Sequence, residues 1–122
     1  MNTNKEKEDF QKHLESIAKD ISEGITITKE NIEDFNYDDF YKVGDIVSGY
    51  DYLMDALDIE YTVNSDKTYK GSRVLVSFGG PNIWINTLTE EVEGYWYNLQ
   101  AKAPYYGDSM DLNECLEDMY NN

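Results

Sequence analysis

Two alternating segments hinged on Gly79-Gly80-Pro81-Asn82 constrain this chain more than any other feature. Before the hinge, Val74, Val76 and Phe78 alternate with Arg73, Leu75 and Ser77; after it, Ile83 and Ile85 alternate with Trp84 and Asn86. Successive side chains of a strand point to opposite faces, so the pattern predicts an antiparallel hairpin with one apolar face. Two glycines and a proline punctuate it as a turn. Ile59, Tyr61 and Val63 alternate in the same way with Glu60, Thr62 and Asn64, and turn-forming residues from Asn64 to Gly71 lead onward. Val92, Gly94 and Trp96 follow a loop around Leu88 to Glu91. The expectation is a four-stranded antiparallel meander. A loop of that length places Ile85 opposite Gly94, Ile83 opposite Trp96, Trp84 opposite Tyr95 and Asn86 opposite Glu93.

Helical periodicity brackets these strands. Phe10, Leu14, Ile17 and Ile21 share one face of a helix predicted from Lys5 to Glu23, with Gly24 as its stop. Ile25 and Ile27, spaced by Thr26, suit a short strand or an apolar connector, and Lys29 to Tyr41 suits a short helix or a loop pinned by aromatics. Ser48 can cap a second helix with Tyr50, Leu53, Met54 and Leu57 on one face and Asp51, Asp55 and Asp58 on the next. Near the end, Asp111 and Glu114 have capping-box spacing, and Leu112, Cys115, Leu116 and Met119 form an apolar stripe. Helices before and after one sheet make an α+β class, and 122 residues suit a single domain over 1–122.

Charge narrows the partners. The chain carries 25 acids against 10 Lys and Arg, a formal charge of −15, which disfavours direct binding to nucleic acid or an anionic membrane and favours a basic protein surface. An aromatic content of 14% argues for a folded domain, not an acidic tail. The charge is concentrated: residues 30–66 hold eleven acids and one base, Lys42, while Lys67, Lys70 and Arg73 cluster just beyond. Asp34, Asp38, Asp39, Asp51, Asp55, Asp58 and Glu60 are the leading candidates for contact with a basic partner, and Glu90, Glu91 and Glu93 the second set. Acids at helical or strand spacing on a stiff scaffold can approach the linear charge density of a nucleic-acid backbone; the same acids also make an ordinary solvated face. Trp84 and Tyr95, with Leu75, fall on the sheet face away from Val74 and Ile85, where they form either a contact patch or core beneath a second helix.

Catalytic chemistry finds no motif. His13 flanks the first apolar stripe, Cys115 lies on the last one, and no GxxxxGK[ST], HExxH or GxSxG pattern is present. The loop from Asn64 to Gly71 departs from the EF-hand pattern in its glycine and its missing final Glu. No metal or cofactor is expected. One cysteine excludes an internal disulfide. The polar first ten residues lack the apolar run of a signal peptide, and no run approaches a membrane span, so the expected setting is the cytoplasm.

The segment from Leu53 to Tyr120 resembles small proteins carried by bacteriophages and other mobile elements. The resemblance rests on Leu57-Asp58-Ile59-Glu60-Tyr61, on the stretch from Gly79 through Trp84 to Thr87, and on Val92-Glu93-Gly94-Tyr95-Trp96. In size and acidity the chain is similar to anti-CRISPR and anti-restriction proteins. That likeness implies a non-enzymatic inhibitor in a host cytoplasm, one that binds an RNA-guided Cas nuclease and blocks its nucleic-acid channel by acidic mimicry. The alternatives are an inhibitor of a restriction enzyme, or a structural or regulatory adaptor acting through the Trp84 and Tyr95 face.

Overall fold

The computed structural model describes residues 3–35 and 39–122. Its class is α+β, as the alternation and helical periodicities imply, but the antiparallel sheet has five strands, not four, in the order β1-β2-β3-β4-β5. These are β1 (Asp58–Val63), β2 (Tyr69–Ser77), β3 (Asn82–Asn86), β4 (Glu91–Trp96) and β5 (Leu99–Pro104). The helices are α1 (Thr3–Glu23), α2 (Ile32–Phe35), α3 (Gly49–Leu53) and α4 (Leu112–Asn121). Strand β5 escapes the sequence pattern because its inward residues, Leu99, Ala101 and Ala103, are small or weakly alternating in hydropathy.

Ile59, Val74, Ile85, Val92 and Ala103 line up directly across the five strands. This row faces the helices: α1 packs on β4 and β5, α4 on β2, and α3 on α4. Leu14, Ile21, Ile83, Ile85, Leu112 and Leu116 are fully buried there. Each such side chain contributes about 1.5–3 kcal/mol on leaving water. Gly94 lets α1 approach: a Cβ there would lie 2.5 Å from Phe10 Cζ and 2.9 Å from both Leu14 methyls. Helix α1 ends where expected, with Gly24 at φ +84° and its N–H donating to the Asp20 carbonyl. The alternating Ile25–Thr28 segment contributes only an isolated bridge, Thr26 to Ile46.

Three local expectations are corrected. The β3–β4 loop runs over 87–90, one residue earlier than predicted, so Ile83 faces Gly94, Ile85 faces Val92, Trp84 faces Glu93 and Asn86 faces Glu91. Asn86 sets this register: its Oδ1 accepts from the Leu88 and Thr89 amides at 3.0 and 3.3 Å, starting the turn early. A two-residue change of register preserves which face each side chain takes. Next, a bulge after Leu75 removes Phe78 from the core face and leaves it 73% exposed.

The second predicted helix is only one turn long. Ser48 does cap it, accepting from the Asp51 amide at 3.1 Å. Its inward residues are Gly49, Tyr52, Leu53 and Ala56, whereas Tyr50, Met54 and Leu57 are exposed. Beyond Leu53 the chain turns, and the Leu57 N–H donates to the Leu75 carbonyl at 2.8 Å. Sheet pairing therefore ends the helix before a second turn can form.

Candidate partner-binding surface

The stripe expected from Asp51, Asp55 and Asp58 does not exist, because the three residues belong to different structures. Asp51 is half-buried in α3 and accepts a hydrogen bond from the Tyr41 hydroxyl, which in turn accepts from the Ser48 amide at 3.0 Å. Asp55 lies in the turn after α3, and Asp58 opens β1; both are exposed. Asp34 is exposed on the short α2, Asp39 follows at φ 59°, and Asp38 lies outside the described residues. Asp51 thus braces α3, and the others do not form a single row.

The outer sheet face gathers several of the remaining candidates. Asp58, Leu75, Trp84, Glu93 and Lys102 form one row across it, and Glu60, Arg73, Asn86, Glu91 and Pro104 the next. Among the described residues no helix covers this face. Its centre is nevertheless closed by its own side chains. The Arg73 guanidinium lies 4.2 Å from the Trp84 ring centroid, a cation–π distance, and donates to Glu93 Oε1 from Nε at 3.2 Å and Nη2 at 3.1 Å. Nη1 of Arg73 reaches Glu60 at 3.2 Å, and Asn86 Nδ2 donates to the other Glu93 oxygen at 3.2 Å. Glu93 is 7% exposed and Leu75 8%.

This network makes Glu93 a structural group of the face, not a free contact charge. Glu91 is half-buried with Lys102 Nζ at 3.9 Å, while Glu90 is exposed in the left-handed region at φ 55°. Tyr95 lies beyond the network, beside the turn that carries Phe78, Gly79 and Gly80, in a cleft with Trp96 and Tyr97.

A concentrated acidic surface stands instead on α4, among residues the sequence does not offer as partner contacts, Asp111 and Glu114 reading there only as a capping box. Glu114, Glu117 and Asp118 are exposed at i, i+3 and i+4, opposite the buried Leu112, Cys115 and Leu116. With Asp111, they line a groove of about 730 Å³ between α4 and the segment 46–50, whose other walls include Ile46, Tyr50 and Met110. No Lys, Arg or His lines it. Tyr50 spans the groove and donates to Asp118 at 2.6 Å; that bond, with burial and the neighbouring acids, pushes its phenol up to about 12. Cys115 at the floor is held above the usual thiol range, first by burial and then by Asp108, Asp111, Glu114 and Asp118.

The start of α4 explains how the row is fixed. Asp111 takes the left-handed conformation at φ 54° and makes no side-chain cap, contrary to the capping-box expectation. Asp108 caps instead, accepting from the Leu112 amide at 2.8 Å and the Asn113 amide at 2.9 Å. At about 1.5 Å rise per residue, Glu114, Glu117 and Asp118 span roughly 6 Å of the α4 axis, on average about one charge per 3 Å, with Asp111 just ahead of the helix. A DNA strand carries a phosphate about every 3.4 Å. The signal was available: the acids follow the same 3-4 spacing as the apolar stripe, half a turn away.

Among the described residues, no group of three or more His, Cys, Asp or Glu is arranged to hold a metal ion, and no helix is long and apolar enough to cross a membrane. Comparison with protein-family models, curated proteins and solved structures finds no match.

Proposed function

We propose that this chain is a non-enzymatic acidic inhibitor that binds the cationic nucleic-acid channel of a host defence nuclease, an RNA-guided Cas effector being the target class. The observation that carries the proposal is the α4 groove: Glu114, Glu117 and Asp118 on a helix packed against the sheet, Asp111 at its N-cap, and no base among the lining residues. Such a row presents a phosphate-like charge density without bases. It therefore competes with every sequence the channel accepts.

Local physics disfavours this arrangement, which supports a functional reason for it. Glu117 and Asp118 sit in the C-terminal half of α4, whose last turn contains no base, and the helix dipole favours cations there. Glu114 and Asp118 are like charges one turn apart, also unfavourable. The outer sheet face is a weaker candidate, because Arg73 covers Trp84 and is shared between Glu60 and Glu93, offsetting one of their two charges. Of the acids between residues 34 and 60, Asp51 braces α3 and Glu60 pairs with Arg73, so they do not carry the proposal.

The test is a double charge reversal, Glu114→Lys with Glu117→Lys, assayed for inhibition of target-duplex cleavage by an RNA-guided nuclease. Inhibition should fall at least about tenfold, with the circular dichroism and melting transition retained; partner-charge contacts commonly carry that much. Undiminished inhibition by the folded double variant would remove α4 from the interface.

A further inference from the structure

The two edges of the sheet are treated differently. Edge strands expose unpaired N–H and C=O groups, and folds usually blunt them with proline, lysine or a covering element. Strand β5 has all three: Pro104 lacks a donor, Lys102 stands on the strand, and Gln11 of α1 donates to the Lys102 carbonyl at 2.9 Å. Among the described residues, strand β1 has none of them. It runs Asp58-Ile59-Glu60-Tyr61-Thr62-Val63, five of its six residues are exposed, and among the described residues only β2 pairs with it.

The side chains flanking this open edge are sorted by face. Ile59, Tyr61 and Val63 lie on the helix side, where Tyr61 is 36% and Val63 41% exposed. Tyr61 is backed there by Tyr120, ring centroids 5.3 Å apart, and Tyr69 at 6.4 Å. Asp58 and Glu60 lie on the outer side, and β1 carries no base. The core stops one strand short on one face, and the other face offers Asp58, whose Oδ1 accepts from the Ile59 amide at 3.0 Å, and Glu60, which shares Arg73 with Glu93.

We propose that the β1 edge receives an extended segment of the partner protein as a sixth strand, with alternating apolar and Lys/Arg side chains. The apolar ones pack on Tyr61 and Val63, the basic ones meet Asp58 and Glu60, and main-chain hydrogen bonds supply register. A second copy of this chain is a poor occupant: it brings another Asp58 and Glu60 to the same face, and each copy carries −15. The cationic character of the partner rests on the function proposed above, whereas the open main chain of the edge does not involve the α4 acids; α4 reaches it only through Tyr120.

The test uses the full chain and a capped octapeptide of alternating Arg and Val. Its companions are the Glu-Val peptide and a fully N-methylated Arg-Val peptide, which keeps the charges but has no amide donors. Fluorescence anisotropy reads binding and amide hydrogen exchange reads location. The Arg-Val peptide should bind and slow exchange in residues 58–63 while leaving 99–104 unchanged; N-methylation should weaken binding at least about tenfold, and the Glu-Val peptide should not bind.

Absence of binding, equal affinity for the N-methylated peptide, or protection elsewhere would overturn the assignment. So would concentration-dependent protection of 58–63 without peptide, which would give the edge to a second copy. The α4 double reversal should leave this protection in place, so loss of inhibition in that variant and failure at β1 are separate results.

Discussion

Arg73 and Glu93 join at 3.1 Å across the uncovered face of the sheet, with the guanidinium laid over Trp84. Glu93 is the more buried partner and depends on Arg73 and Asn86 for its hydrogen bonds. Removing Arg73 strands a carboxylate in a poorly solvated position. Arg73→Met is expected to destabilise the fold by roughly 2–4 kcal/mol, below the full cost for a buried pair because Arg73 is partly solvated. Urea unfolding of Arg73→Met and the double variant Arg73→Met/Glu93→Met checks this: the double variant should recover part of the loss. A loss under about 0.5 kcal/mol in the single variant would class the pair with ordinary surface ion pairs.

Close approach of α1 to β4 gives a second expectation. A Cβ at Gly94 would enter the space of Phe10 and Leu14, both buried. Gly94→Ala should cost about 1–3 kcal/mol through overpacking, although alanine suits a strand better than glycine. A thermal melt reads it. An unchanged or raised Tm would mean that α1 yields readily at this contact.

Asp20 supplies a pH dependence. Burial raises its carboxyl above the ordinary value of 3.8, Lys19 opposes the shift and Glu23 adds to it. The fold therefore favours the protonated form. Its contribution to stability is complete below pH 3.8 and is lost as pH rises through the higher folded value. Asp20→Asn should raise Tm slightly at pH 7, and the difference from the parent should vanish toward pH 3. A stabilisation that is equal at both pH values would assign the effect to packing, not ionisation.

The α4 acids should trade stability against binding. Glu117→Lys replaces an acid toward the C-terminal end of a helix by a cation, expected to gain about 0.3–1 kcal/mol from the dipole and from reduced repulsion. The same change should weaken inhibition. Paired denaturation and inhibition assays check both signs; a variant less stable yet fully inhibitory would contradict the role given to Glu117.

How far these features were legible in the sequence follows from the kind of information each needs. The alternation around Gly79-Gly80-Pro81-Asn82 identified the central hairpin and placed Val74, Ile83 and Ile85 on the core face, but not Phe78, because the bulge after Leu75 that turns it outward leaves no mark on a period of two. Loop 87–90 was misplaced because the deciding interaction is a side-chain hydrogen bond from Asn86. Asp51, Asp55 and Asp58 read as a helical stripe because nothing local announces that Leu57 will pair with Leu75. The α4 acids were legible but overlooked beside a denser run of acids upstream. Arg73 closing over Trp84 and Glu93 needed three strands in register and could not be read from any one of them.

The most direct measurement is competition: the potency of this chain against an RNA-guided nuclease, determined while target duplex DNA is varied. Occupation of the nucleic-acid channel by the α4 carboxylates requires that added duplex relieve inhibition and that salt weaken binding. Inhibition that stays constant across a large excess of duplex, with a stable complex holding both DNA and this chain in the channel, would contradict it.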